Sequence, residues 1–396
     1  MRPDPDVVVA GHVCLDVIPE IAIRADDRAG FVMPGVLREV GPALLSTGGV
    51  VANTGLAMDR LGIPVRLVGK VGDDAFGHIV ADLLSRRSVR AVADLIIEPG
   101  ATTSYSLVIS MPGVDRTFLH HAGANDSFRA EDVDATALAG VRLFHFGYPP
   151  LMRGMYANGG AELARLLARA GRAGCTTSLD MARPDPTADS GRADWAAVLT
   201  AALPHTDVFV PSLDDLTVML GDSGAAQTGA APGAGPDPSR LGKIADRLLA
   251  LGAGAVMIKL GSNGAYLRTS GRDRLARAGA AAPDQPDAWA DRELWSPCFV
   301  ADVVGTTGAG DATAAGLLAG LLHGQGPEDA LTSAVAVGGC SVEVADSVSG
   351  VLSWEATQAR MRSGWSRAAL ELPPPWRYHP TTGLWSGPRD RAAGTR

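Results

Sequence analysis

The sequence predicts an α/β fold in which a mostly parallel sheet is covered by helices on both faces and a small β-hairpin projects from one edge. Three observations carry this expectation. Short apolar runs alternate with helical stretches along most of the 396 residues. Two glycine-rich clusters stand where such runs give way to helices. One segment breaks the alternation with two strand-like runs joined by a turn.

The elements follow in order. Val7–Ala10 is an apolar run of strand length. Val51–Leu61 has helical spacing and stops at Gly62; Val65–Val68 reads as the next strand, and His78–Ser85 resumes helical spacing. Thr103–Ser110 and Arg116–His121 flank the turn-rich MPGVD, which makes them a hairpin and a candidate flap over a substrate. On such a strand His120 and His121 point to opposite faces, so at most one meets the substrate. Leu143–Phe146 reads as a strand, Ala161–Ala170 as a helix ending at Gly171, and Thr176–Asp180 as a strand. Val208–Val210, Val256–Leu260 and Phe299–Val304 are three more. Ligands of such sheets bind beyond the C-terminal ends of the strands, which puts Asp16, Asp180, Ser212, Gly261 and the Gly305 loop on a common rim.

Gly221–Ser239 is rich in Gly, Ala and Pro and reads as a flexible insertion; Ser270–Asp291 reads as a loose excursion between strands. In the tail, Trp376, Tyr378 and Trp385 suit docking on the body or on a second subunit, and the end reads as disordered. Hydrophobic content of 46% and charged content of 20% are ordinary for a globular chain. With 35 basic against 43 acidic residues, a net charge of −8 and no basic run, nucleic acid is not an expected partner. Cys14, Cys175, Cys298 and Cys340 form no metal-ligand spacing, and no stretch reads as a signal peptide or membrane span, so a cytoplasmic protein without membrane partners is expected. Lysine is confined to Lys70, Lys243 and Lys259, read as compositional drift.

The chemistry concentrates in GTTGAGDATAAG, Gly305 to Gly316, which leads into an Ala/Leu-rich helix. Bare glycine backbone at a helix N-terminus lets amides approach an anion, and Asp311 stands beside them as a potential base. An anion cradle next to a base is what phosphoryl transfer to an alcohol requires; a tight turn with an N-terminal helix acid accounts for the stretch equally well on its own. Upstream, STGGVVAN places Gly48 and Gly49 before a helix and Asn53 on its first turn, a donor–acceptor set suited to sugar hydroxyls. In GKVGDDAFG, Asp73 and Asp74 are read as helix caps.

The two clusters together resemble the two signatures of the PfkB (ribokinase-like) family of carbohydrate kinases. GGVVAN, LG and GKVGDDAFG are similar to the upstream signature, GTTGAGD to the downstream one, and KLGSNGAYL (259–267) to the nucleotide-side segment; the resemblance spans about Val7 to Trp354. It implies a three-layer α/β/α sandwich with a small β-sheet lid. The kinase domain would cover 1–370, with the lid at about 101–122 plus part of 12–45 and the insertion at 221–239, followed by a tail over 371–396. It implies Asp311 as catalytic base and Gly308, Ala309 and Gly310 as the anion hole. It further implies acceptor contacts from Asp16 at the end of the first strand, Gly48, Gly49 and Asn53. Thr306, Gly261, Gly264 and Ser212 fall on the nucleotide side, and Asp215 is a metal contact. ATP and Mg²⁺ are the implied cofactors, and a homodimer through the lid is an implied partner arrangement.

The chain also departs from the family. Gly305 replaces the acid that helps bind a monovalent cation, which puts K⁺ activation in doubt unless Asp302 substitutes. Ser212-Leu213-Asp214-Asp215 stands for NxxE, Val50 for a lysine, and Gly147-Tyr148 for an acidic residue, the last two arguing against ribose. The expectation is an ATP-dependent kinase acting on a hydroxyl of a sugar or sugar-like molecule. The alternatives are a nucleoside kinase of the same fold, or a catalytically silent regulator that binds nucleotide or sugar.

Overall fold

The computed structural model describes residues 5–22, 34–88, 92–111, 116–221 and 235–391. The hairpin turn, part of the 12–45 lid segment, most of the 221–239 insertion and the end of the tail lie outside the described residues. The strands are β1 (Val7–Gly11), β2 (Cys14–Pro19), β3 (Ala43–Gly48), β4 (Val65–Gly72), β5 (Val92–Glu98), β6 (Tyr105–Ile109) and β7 (Thr117–His121). They continue with β8 (Leu143–Gly147), β9 (Thr176–Asp180), β10 (Val208–Phe209), β11 (Ala255–Lys259), β12 (Ala265–Thr269), β13 (Glu293–Ser296), β14 (Arg377–His379) and β15 (Leu384–Ser386).

The large sheet runs β14-β15-β13-β12-β11-β10-β9-β8-β1-β4-β5 and the small one β3-β2-β6-β7. Every pairing from β5 across to β11 is parallel, and every pairing from β11 out to β14 is antiparallel. The central strands bury both faces. Val7 and Val9 of β1 join one apolar cluster with the helices α1 (Val50–Arg60), Ala309–Leu322 and Pro327–Ser341. Val8 and Ala10 join a second cluster with the helices Arg153–Arg172 and Trp195–Ala202. The two-residue period of a strand thus produces the three layers. Helix Ala309–Leu322 is buried almost all round, and its small residues permit close crossing: a Cβ on Gly316 would meet the Ala334 Cα at 2.8 Å.

The small sheet is the projecting lid. β6 and β7 pair antiparallel with Tyr105 opposite His121, while β2 joins β6 in parallel and β3 antiparallel. Its root is tied by Asp74, which caps α2 (Ala75–Arg87) through Gly77 N–H at 2.8 Å. The same carboxylate accepts from Thr103 N–H at 2.8 Å and the Thr103 hydroxyl at 2.6 Å.

Three local expectations are corrected. Phe299–Val304 is not a strand: it makes only an isolated bridge from Phe299 to Arg367, and Val300, Val303 and Val304 are exposed. β13, the strand that precedes it, is already paired along both edges, with β12 and β15. Asp16 does not end the first strand; it lies inside β2, in the lid sheet. Ser270–Asp291 is not loose, because it holds the short helices Arg272–Leu275 and Pro286–Trp289 and buries Leu275 and Trp289.

The tail extends the large sheet through β15 against β13. Trp376 is buried with its ring 5.9 Å from Trp295 and 6.2 Å from Tyr266. Glu293, fully buried, accepts from the Tyr266 hydroxyl at 2.8 Å and from Arg389 N–H at 2.7 Å, so the tail also satisfies a buried charge.

Candidate active site

The C-terminal ends of β1, β8, β9 and β11 and the N-termini of α1 and of helix Ala309–Leu322 converge on one cleft beneath the lid. Asp311, buried on the first turn of its helix, is the meeting point. Asn53 Nδ2 donates to Oδ2 of Asp311 at 3.0 Å and the Thr54 hydroxyl to Oδ1 at 3.2 Å. The Tyr148 hydroxyl lies 2.7 and 2.8 Å from the two carboxylate oxygens. Residues 258 positions apart are thereby in direct contact.

The glycines are required where the sequence puts them. Gly308 caps the helix with φ 71°, and a Cβ there would lie 2.6 Å from Ser347 Cβ. The first-turn amides of Gly310 and Asp311 have no carbonyl one turn back within the helix, which leaves them to face a ligand. The Ala309 amide is the one of the predicted set already engaged, donating to the Thr306 carbonyl at 3.3 Å. At Gly49, φ is 86° and a Cβ would meet His12 Nδ1 and its carbonyl oxygen at 2.5 Å; at Gly48 a Cβ would overlap the Asp16 carboxylate at 2.3 Å.

The lid sheet contributes Asp16, His120 and His121. Asp16 is buried, accepts from the Cys14 thiol at 3.3 Å, and is raised by that burial to about 6, against the lowering influence of Cys14, Ser106 and Arg116. His120 of β7 points inward: its Nδ1 is 3.1 Å from the Ser106 hydroxyl and its Nε2 is 3.3 Å from Nε2 of His12. His121 takes the other face, 2.8 Å from the Thr102 hydroxyl. Burial and the neighbouring His120 hold His12 well below the usual histidine range, so its ring is neutral near pH 7. Asn53 Oδ1 and His12 Nδ1 are buried with no hydrogen-bond partner among the described residues. His12 Nδ1 is packed against Gly49, whereas Asn53 Oδ1 belongs to the amide that bonds Asp311, and an unpaired buried atom there marks where a polar ligand belongs.

Across from them, Lys259 ends β11 and pairs with both oxygens of Asp180 at the end of β9, at 2.8 and 2.7 Å. Burial pulls its ammonium down, but Asp180, Asp311 and Asp215 together carry it above the ordinary lysine value, so it remains a fixed cation beside Gly310. Gly261 and Gly264 form the turn after β11, with φ 56° and 86°; a Cβ on Gly264 would overlap the Ser296 carbonyl. The Thr306 hydroxyl receives a hydrogen bond from Arg116 of the lid at 2.7 Å. Ser212 caps the helix Leu213–Met219 and exchanges hydrogen bonds with Asp215, at 2.8 and 3.1 Å.

The described residues hold no cluster of three metal-ligating side chains. Asp215, with one oxygen in its capping box and one left over, fits a Mg²⁺ that arrives with phosphates and water rather than one caged by protein. At Gly305 an acidic side chain has no room, since its Cβ would lie 2.9 and 3.0 Å from the carbonyl oxygens of Val344 and Ala345; Asp302 is exposed.

Sequence reasoning left out Thr54, His12, Lys259 and Arg116, and took Tyr148 only as a departure from the family pattern. Lys259 carried a signal: in a chain that uses arginine for nearly all its positive charge, Lys70 and Lys259 both sit in buried ion pairs.

Comparison with known proteins agrees with this architecture. The profile described as pfkB family carbohydrate kinase matches residues 4–353. Probable fructokinase-4 of Arabidopsis thaliana is 27% identical over 144 residues, 36% of this chain and 40% of that protein, so the chain spans less than half the length of that relative. Arabidopsis thaliana ribokinase, solved with ribose and ATP, superposes with a TM-score of 0.69 at 19% identity, covering 90% of this chain and 98% of that one. Fructokinase with bound ATP from Xylella fastidiosa superposes at 0.65 and 19% identity, covering 90% and 98%. No helix among the described residues is long and apolar enough to cross a membrane.

Proposed function

Because this chain belongs to the pfkB family of carbohydrate kinases, we propose that it transfers the γ-phosphoryl group of ATP to a hydroxyl of a sugar or sugar-like small molecule. The observation that carries this reading is the direct contact of Asn53 with Asp311 beneath a helix N-terminus. It brings an acceptor-binding side chain, a base and bare amides into one cleft. Asp311 takes the proton of the acceptor hydroxyl. The Gly308 and Gly310 backbone and Lys259 offset the charge spread over the transferring group, and a Mg²⁺ bound with ATP would add to that. Asp215 would hold the metal's water shell through its remaining carboxylate oxygen.

Asp16 and Asn53 Oδ1 offer an anionic and a neutral acceptor for hydroxyl donors, which suits an uncharged polyol better than a sugar phosphate. ATP as donor is supported by the ATP complexes of the two structural relatives. Gly305 supports a reaction that does not depend on K⁺. The exposed Leu44, Leu45, Phe118 and Leu119 of the lid sheet support a homodimer through the lid.

The test is a screen of the purified protein with Mg-ATP against sugars and nucleosides, read by ADP release and by the mass of the product. A phosphorylated sugar supports the proposal; a phosphorylated nucleoside reassigns the acceptor. ADP release no greater than the acceptor-free background throughout, with nucleotide and sugar still bound, makes the protein a binding regulator instead.

A further inference from the structure

Assigning Asp311 as the base leaves one of its contacts unused. Tyr148 follows β8 with φ 66° and ψ 41°, a left-handed conformation that a bulky residue rarely adopts. Pro149 and Pro150 come next, and Tyr148 N–H donates to the Asp180 carbonyl at 3.3 Å, so this backbone is held from both sides. The turn aims the phenol at Asp311, with its oxygen almost equidistant from both carboxylate oxygens.

A carboxylate offers about four lone-pair directions. Asn53 and Thr54 occupy one on each oxygen, and a single hydroxyl between the two oxygens covers the pair that remain. Asn53 and Thr54 are buried on α1, whereas Tyr148 is only partly buried, its ring 6.1 Å from His12, which in turn lies 5.0 Å from the lid residue His120. Any nucleophile that gives its proton to Asp311 must first take the place of the phenol.

We propose that Tyr148 is a specificity-determining residue that discriminates against water as the acceptor: its hydroxyl occupies Asp311 until a bound alcohol displaces it. This rests on the kinase reading above. A base able to ionise a sugar hydroxyl serves water equally well. The water oxygen would bond to the γ-phosphorus while its proton passes to Asp311. The bond from that phosphorus to the bridging oxygen would break, and ADP and inorganic phosphate would leave.

A lone water gains only the base as partner. A polyol also bonds Asn53 Oδ1 and Asp16, so it can displace the phenol where water cannot. The phenol keeps its own proton, because burial and the Asp311, Asp180 and Asp215 charges raise its pKa well above the ordinary tyrosine value.

The experiment measures phosphate release from Mg-ATP, without any sugar, by the full-length wild type and by Tyr148→Phe and Tyr148→Gly. Glycine accepts the left-handed backbone, which covers the case where the phenylalanine variant folds poorly. Losing one hydrogen bond to a charged group predicts a rise in acceptor-free hydrolysis of about tenfold to a hundredfold. Adding Asp311→Asn to either variant abolishes the rise. Damage to the fold lowers hydrolysis and does not imitate this result. No rise in either variant, while ATP still raises their melting temperatures, overturns the proposal. Failure of ATP to bind the wild type, or of the wild type to phosphorylate any compound in the acceptor screen, instead takes down the kinase reading and this inference with it.

Discussion

Asp16→Asn is expected to stabilise the protein at neutral pH while damaging its acceptor site. The carboxylate is only 9% exposed, and burial moves it from 3.8 to about 6. Each pK unit is worth about 1.4 kcal/mol, so keeping it ionised in the folded protein costs up to about 3 kcal/mol. The folded state binds this proton more tightly than the unfolded chain does. The penalty is therefore absent below about pH 4, grows between about 4 and 6, and is complete above. Asparagine keeps the shape and carries no charge, so its advantage over wild type should be about 1–3 kcal/mol at pH 8 and should shrink toward zero at pH 4. Urea unfolding of both proteins at several pH values measures the difference, in which other carboxylates cancel. On the proposed role of Asp16 as an acceptor contact, the same substitution should raise KM for the acceptor about tenfold or more. A stability difference that does not vary with pH would refute the electrostatic account. An unchanged acceptor KM would refute the functional one.

Asp311→Asn should lower turnover by about 10²–10⁴-fold with little change in ATP binding, checked by steady-state kinetics beside calorimetric titration of nucleotide. Lys259→Met leaves Asp180 buried without its cation and should cost about 3–5 kcal/mol; adding Asp180→Asn should recover most of it, as urea unfolding would report. Removing residues 371–396 uncovers the β13 edge, Trp295 and the Glu293 carboxylate. The expected outcome is a lower melting temperature and concentration-dependent light scattering.

Much of the site was legible because its parts have local signatures. A glycine pair before a helix and a glycine run before another are both demanded by backbone conformation, at Gly49 and Gly308, and a sequence shows glycine plainly. What stayed hidden were residues whose role depends on what faces them. Phe299–Val304 has strand composition, yet a strand needs a free ladder beside it, and β13 has none to offer. Tyr148 looks like an ordinary aromatic until its left-handed backbone turns the ring onto Asp311. Asp16 reads from the sequence as the end of the first strand, but its place in the lid sheet follows from the pairing of β2 with β3 and β6.

The amino-acid order alone determined the layered α/β class, the β6–β7 hairpin and the two helix N-termini that need bare backbone, because periodicity and glycine placement act over a few residues. Tertiary packing alone decided that Asn53, Thr54 and Tyr148 surround one carboxylate, that Lys259 neutralises Asp180, and that the tail completes the sheet. These contacts join positions far apart in the chain. Hydrogen bonds and ion pairs of that kind are set by which strand ends share a rim, and sequence spacing holds no record of that geometry.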